Sequence, residues 1–167
     1  MKPDVYWIDP IAPYRLAIMP RPRAGEWLAD EIVGYRRMGI VVVVSLLEAH
    51  EVQELGLGAE PALCEQSGVV FLSHPIADRG VPASPEAIRR LSATLATMLR
   101  DGKGVAIHCR AGIGRSSLLA ACVMAELGTP PAQAFRQLST ARRVAVPDTP
   151  EQQDWVFRHA RSPRIVE

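Results

Sequence analysis

The residues best suited to chemistry lie in one stretch, which begins at His108 and reads HCRAGIGRS. Cys109 offers a sulfur nucleophile, and the planar guanidinium of Arg115 can hold two oxygens of a phosphate group. Gly112 and Gly114 let the backbone between them turn tightly and approach a ligand closely. This combination predicts attack of a thiolate on phosphorus, with the developing charge neutralised by the surrounding loop.

The segments on either side of this stretch are of the kind that can position such a loop. Residues 105–107 form an apolar run typical of a buried strand, and a helix is predicted from about residue 115 to 127. Backbone N–H groups in a loop between strand and helix can converge on one anion, helped by the helix N-terminus. The same groups would favour the thiolate form of Cys109. The predicted phosphate-binding residues are Arg110, Ala111, Gly112, Ile113, Gly114 and Arg115.

Elsewhere the chain alternates apolar runs with segments of helical periodicity. Further strands are predicted at residues 5–8, 15–19, 40–47 and 69–72. Further helices are predicted at residues 26–38, 60–67, 84–100, 130–141 and 149–161. The run IVVVVSLL lacks polar alternation, as in a strand buried on both faces of a parallel sheet. We therefore expect a single three-layer α/β domain over residues 1–167, whose central, largely parallel sheet of four to five strands is flanked by helices.

An acid is also needed, because the leaving oxygen of a phosphate ester must be protonated. Asp78 lies in the sequence HPIADRGVP, shortly after the strand predicted at residues 69–72, and precedes Cys109 by 31 positions. That separation accommodates one crossover helix between parallel strands. Asp78 and Cys109 would then both follow the carboxyl ends of strands, where open α/β sheets place their sites. A turn or capping role is the alternative for Asp78, and Asp148 is a second, weaker candidate for lining the pocket.

Composition narrows the class of protein. The net charge of +1 gives no reason to expect nucleic acid or an anionic membrane as a partner. The longest apolar stretch, at residues 40–44, is too short to span a bilayer, and the N-terminus lacks a signal-peptide pattern. The three scattered cysteines suit a reducing compartment. We expect a cytoplasmic monomer that needs no cofactor and no metal.

The stretch HCRAGIGRS resembles the HCxxGxxR(S/T) signature of the protein tyrosine phosphatase superfamily. The short chain is similar to the dual-specificity branch, in particular to small phosphatases related to the cyclin-dependent kinase inhibitor-associated phosphatase and its bacterial relatives. The resemblance extends more weakly over RLAIMPRP, VVVVSLLE and PIADRGVP. It implies that Cys109 forms a phosphocysteine, that Arg115 binds phosphate in both steps, and that Ser116 assists departure of the thiolate. It also agrees with Asp78 as general acid.

Other polar residues near these motifs have less specific roles. His108 is expected to hydrogen-bond neighbouring backbone at the end of its strand and, in a catalytic role, to help favour the thiolate form of Cys109; a purely structural hydrogen bond is the alternative. The side chain of Arg110 is expected to point outward and to influence substrate choice. The resemblance implies that a glutamine can place the water of the second step, which Gln152 or Gln153 could do, although a surface role is the alternative. Whether the other two cysteines, Cys64 and Cys122, pair with the nucleophile is left open.

The predicted function is metal-independent hydrolysis of phosphate monoesters, on phosphotyrosine and on phosphoserine or phosphothreonine in proteins. Phosphoinositides and other small phosphate esters are an alternative. A rhodanese-like sulfurtransferase is another, but its loop is usually one residue shorter than the five residues between Cys109 and Arg115. A phosphate-binding module without turnover is a third. The sequence does not decide between tyrosine and dual specificity.

Overall fold

A computed structural model describes residues 2–161. Five strands form one sheet with the order β1-β2-β5-β3-β4. All neighbouring strands are parallel except β1, which is antiparallel to β2. The strands are β1 (Tyr6–Trp7), β2 (Leu16–Met19), β3 (Ile40–Ser45), β4 (Val70–Ser73) and β5 (Gly104–His108).

Seven α-helices connect or follow the strands within the described residues. They are α1 (Leu28–Arg37), α2 (Ala49–Glu54), α3 (Glu60–Gln66), α4 (Pro85–Arg100), α5 (Arg115–Glu126), α6 (Pro131–Arg142) and α7 (Pro150–His159). Ser84 and Thr149 cap α4 and α7 as their sequence patterns predict. No helix in residues 2–161 is long and apolar enough to cross a membrane.

Two apolar clusters, one on each face of the sheet, form the core. Side chains alternate between the faces along each strand, so that Val42 and Val44 belong to one cluster while Val43 belongs to the other. Helix α5 is buried along almost its whole length, which explains the apolar run from Leu118 to Ala125. These layers confirm the predicted three-layer α/β fold.

The carboxyl ends of three neighbouring strands meet at one edge of the sheet. Ser45, the last residue of β3, is paired with His108 of β5 and with Ser73 of β4. The segments that follow these strands therefore begin side by side. Strand β3 ends two residues earlier than the sequence predicts. Helix α2, which the sequence did not predict, begins shortly after β3, at this edge of the sheet.

Candidate active site

Residues 109–114, which we call the anion loop, connect β5 to α5. Gly112 has a φ of +72°, and a Cβ there would lie 2.5 Å from the carbonyl carbon of Met19, so only glycine fits. Within residues 2–161, the backbone N–H groups of residues 110–114 donate to no protein acceptor. A loop rich in free donors at the start of a helix can bind an anion.

Cys109 lies at the base of this loop and is 3% exposed. Its Sγ atom lies 3.4 Å from Oγ of Ser116, which is fully buried in the first turn of α5. In that geometry the thiol donates to the hydroxyl oxygen, and the hydroxyl would donate to a thiolate. Ser116 is therefore within reach of the sulfur in either charge state.

Arg115 is 2% exposed and is held from several sides. Its guanidinium donates two hydrogen bonds to Glu51, with Nη1 at 2.6 Å from Oε1 and Nη2 at 2.9 Å from Oε2. Nη1 also donates to the carbonyl oxygens of Ile76 at 2.8 Å and Leu46 at 3.4 Å. Leu46 and Glu51 follow β3, and Ile76 follows β4. Acceptors gathered at this edge of the sheet therefore fix the orientation of the guanidinium.

Glu51 is a functional residue that the sequence analysis did not identify. Burial opposes its charge, but hydrogen bonds from Arg115, the backbone of Glu48 and Arg110 more than offset this and lower the pKa of Glu51 to about 2. The Glu48 contact closes a capping box at the start of α2. Glu51 therefore joins the arginine of the site to the end of a helix.

Arg110 does not point only outward, as its position in the loop suggested. Its Nε atom lies 3.3 Å from Oε2 of Glu51, and its Nη2 atom lies 3.6 Å from Glu54. The side chain is still 43% exposed. Arg110 thus lies at the rim of the anion loop, with one edge paired to acids of α2.

Asp78 lies near Arg115, as its predicted place after β4 requires. Its Oδ1 atom accepts a hydrogen bond from Nη2 of Arg115 at 3.1 Å, and its side chain is 53% exposed. It occupies a tight turn at residues 77–80, which we call the acid turn, closed by a 2.8 Å bond from the Gly80 N–H to the Ala77 carbonyl. Asp78 therefore lies beside the anion loop and remains open to solvent.

His108 is fully buried behind the nucleophile. Its Nε2 atom lies 2.8 Å from Oε2 of Glu60 in α3, and its Nδ1 atom lies 3.2 Å from the carbonyl oxygen of Cys109. Glu60 is itself only 1% exposed. A ring anchored at both nitrogens fixes the strand end that carries the cysteine. The backbone contact agrees with the sequence analysis, whereas Glu60 was not foreseen.

Gln152 and Gln153 differ in their surroundings. Gln153 is exposed on α7, whereas Gln152 is fully buried and uses both ends of its amide. Its Oε1 atom accepts from the N–H groups of Asp148 and Thr149, and its Nε2 atom donates to the Gly80 carbonyl. Both lone pairs of Oε1 and one N–H of Nε2 are thus engaged within the protein, and the side chain is closed to solvent, which argues against a water-placing role for Gln152.

The other two cysteines are buried and unpaired. Burial raises the pKa of Cys64 and of Cys122 to about 12, aided in each case by a nearby glutamate. Both are packing residues of the core clusters. Arg142, the last residue of α6, donates to the carbonyl of Ala111 in the anion loop at 3.2 Å.

Of the two acids that the sequence analysis missed, Glu51 is the one whose place after a strand could have indicated its role. Glu51 follows β3, the strand next to the one that carries the nucleophile. A carboxylate just past the end of a neighbouring parallel strand lies at the same edge of the sheet. Glu60 has no comparable signal, since its contact with His108 depends on how α3 packs.

A family model described as "Polymorphic toxin system, DSP-PTPase phosphatase" matches residues 17–129. Among curated proteins, cyclin-dependent kinase inhibitor 3 of Rattus norvegicus is 38% identical over 82 residues, which cover 48% of this chain and 38% of that protein. Protein tyrosine phosphatase domain-containing protein 1 of Mus musculus is 38% identical over 72 residues, which cover 43% of this chain and 9% of that protein. The match thus spans less than half the length of these curated relatives.

Solved structures resemble the whole domain. The kinase associated phosphatase (KAP), crystallised with its catalytic-site cysteine changed to serine, matches with a TM-score of 0.84 and 23% identity, over 95% of each chain. The active form of Tk-PTP matches with a TM-score of 0.77 and 27% identity, over 96% of this chain and 98% of that one. Both matches cover nearly the whole of this chain.

Proposed function

The chain belongs to the DSP-PTPase phosphatase family, and from this membership we propose that it hydrolyses phosphate monoesters on proteins through a phosphocysteine. The observation that carries the proposal is one juxtaposition. The thiol of Cys109, the free amides of the anion loop, the guanidinium of Arg115 and the carboxyl group of Asp78 lie at one edge of the sheet. A nucleophile, an anion cradle and an acid are the three parts that the reaction needs.

In the first step the Cys109 thiolate attacks phosphorus while the bond between phosphorus and the leaving oxygen breaks. The protonated carboxyl group of Asp78 gives its proton to that oxygen. The loop amides and Arg115 bind the other phosphate oxygens, and they neutralise the charge without help from another group. The products of this step are the free alcohol or phenol and a phosphocysteine.

In the second step a water attacks the phosphocysteine, and the Asp78 carboxylate accepts its proton. The bond between sulfur and phosphorus breaks, and inorganic phosphate leaves. Ser116 supports this step, because its hydroxyl lies 3.4 Å from the sulfur and can donate a hydrogen bond to the departing thiolate. Arg115 holds the phosphate throughout, and its ion pair with Glu51 keeps it in place between turnovers.

The proposed substrates are phosphotyrosine and phosphoserine or phosphothreonine in proteins. Family membership favours phosphate esters over the sulfur transfer of a rhodanese. The carboxylates of Glu51 and Glu54 occupy one edge of Arg110 at the rim, which leaves less positive charge there for a polyphosphorylated inositol. A protein substrate with a single phosphate suits this rim best.

Hydrolysis of p-nitrophenyl phosphate in the presence of EDTA tests the proposal. We expect turnover that vanadate inhibits and that Cys109→Ser abolishes, whereas Cys122→Ser, a buried cysteine on α5, should retain it. Undiminished turnover in Cys109→Ser would refute the proposed nucleophile. A panel of phosphopeptides and phosphoinositides then ranks the substrates, and a preference for the lipids would overturn the protein assignment.

A further inference from the structure

The first turn of α7 and the loop before it contact both functional loops of the site. A Cβ at Gly114 would lie 2.6 Å from Oδ2 of Asp148 and 2.9 Å from Oε1 of Gln152, so this loop packs directly on the anion loop. Gln152 also reaches the acid turn through its Nε2 atom, which donates to the Gly80 carbonyl at 3.1 Å. One buried side chain thus connects three segments that are far apart in sequence.

The acid turn needs such support, because its backbone is held at few points. Before the turn, the Ile76 N–H donates to the Leu46 carbonyl, and the Ile76 carbonyl accepts from Arg115. Within the turn, Arg79 has a φ of +59°, a conformation that non-glycine residues rarely adopt. Gln152 holds the far end, at Gly80.

We propose that Gln152 is a positioning residue that holds Asp78 over the anion loop, by fixing the end of the acid turn at the Gly80 carbonyl. The inference rests on the proposed phosphatase function. The amide acts through backbone, since it touches neither the nucleophile nor the carboxyl group of Asp78. Its acceptor end anchors it to the N-terminus of α7, and its donor end transmits that position to the acid turn.

Gln152→Glu separates the role of the acceptor end of this amide from the role of its donor end. Glu at position 152 keeps an acceptor for the N–H groups of Asp148 and Thr149, and the capping box accepts Glu as well as Gln. An ionised carboxylate has no donor for the Gly80 carbonyl and repels it. Gln152→Glu therefore preserves the cap and removes the contact with the acid turn. Gln153→Glu makes the same chemical change at an exposed neighbour and serves as the control.

The readout is the dependence of turnover on the leaving group. Phenyl phosphate has a more basic leaving oxygen and depends strongly on the acid, whereas p-nitrophenyl phosphate, with its better leaving group, depends on it less. For Gln152→Glu we expect kcat/KM to fall about tenfold or more on phenyl phosphate and less than about threefold on p-nitrophenyl phosphate. Gln153→Glu should match the wild type on both. An equal loss on both substrates, or no loss on either, would overturn the proposal.

A second variant tests whether the effect passes through Asp78. In an Asp78→Asn background, Gln152→Glu should cause no further loss on phenyl phosphate, because the acid is already absent. A further tenfold loss there would show that Gln152 acts elsewhere. Absence of turnover in the wild type, or equal sensitivity of Asp78→Asn to both leaving groups, would instead contradict the proposed function and its acid.

A measurement on the wild-type protein covers the case in which Gln152→Glu does not fold. The side-chain NH₂ of Gln152 should exchange slowly with solvent and show a nuclear Overhauser contact to the Hα protons of Gly80. Fast exchange without that contact would overturn the tether, independently of any activity.

Discussion

Glu51→Gln is the change that tests most severely how the site is held together. The substitution keeps the size of the side chain and leaves an oxygen that can still accept from the Glu48 N–H in the capping box. It removes the negative charge that faces the buried guanidinium of Arg115, and it turns a donor group toward one of the guanidinium nitrogens. Both effects leave a buried cation short of acceptors.

The size of the loss follows from the burial of the ion pair and from the lowered pKa of Glu51. Removing one partner of a buried ion pair costs about 3–5 kcal/mol. The pKa of Glu51 falls from 4.5 to about 2, which at about 1.4 kcal/mol per pKa unit corresponds to at most roughly 3.5 kcal/mol. Arg115 keeps the carbonyls of Ile76 and Leu46 and the carboxylate of Asp78. We therefore expect Glu51→Gln to lower the free energy of unfolding by about 2–3 kcal/mol at neutral pH.

Urea unfolding at several pH values measures this loss. A carboxylate whose pKa is depressed in the folded state contributes its full stabilisation to the fold above the pKa that it has in the unfolded state. This contribution is lost as the pH falls toward the pKa of the folded state. The difference between wild type and variant should thus be constant above about pH 5 and smaller by about 1 kcal/mol at pH 3.5. Glu54→Gln, an exposed position on the same helix, should change stability by less than about 0.5 kcal/mol. A loss of less than about 0.5 kcal/mol for Glu51→Gln, or a loss that does not vary with pH, would show that the ion pair between Glu51 and Arg115 does not stabilise the fold.

Two further predictions concern the backbone and the buried pair behind the nucleophile. Gly112→Ala should cost more than about 2 kcal/mol of stability in urea unfolding and should abolish turnover, because its Cβ would collide with the backbone of Met19. Gly68→Ala has the same φ of +72° but open space around it, so it should cost only about 1 kcal/mol; equal losses would contradict the steric argument. Glu60→Gln should lower stability by about 1–3 kcal/mol, because His108 loses a charged partner, while the exposed Glu65→Gln should have no effect. Indistinguishable melting curves for those two variants would show that the buried pair is not stabilising.

Sequence patterns predicted the fold because most of its elements have strong local signals. The uninterrupted β-branched run of β3 and the strand–loop–helix context of Cys109 are local features. The order of strands along the chain then places their ends at one edge. Helix α2 was missed because it is short and begins immediately after a strand, where the apolar residues Leu46 and Leu47 extend the strand pattern.

The parts of the candidate site that escaped the sequence analysis are contacts between distant segments. Glu51 and Arg115 are 64 positions apart, and Gln152 and Gly80 are 72 positions apart. Neither pairing has a periodicity or a motif that predicts it, because each depends on how helices pack on the edge of the sheet. For Gln152, the sequence offered a water-placing or a surface role, and neither predicts its contact with the acid turn.

Identification of the phosphorylated residue shows whether Cys109 is the nucleophile. Ser116→Ala should slow the second step, so that a phosphoenzyme accumulates during turnover of p-nitrophenyl phosphate. Rapid acid quenching followed by peptide mass spectrometry should find one phosphoryl group on Cys109. A phosphoryl group on any other residue, or none while product is still formed in a burst, would rule out Cys109 as the nucleophile.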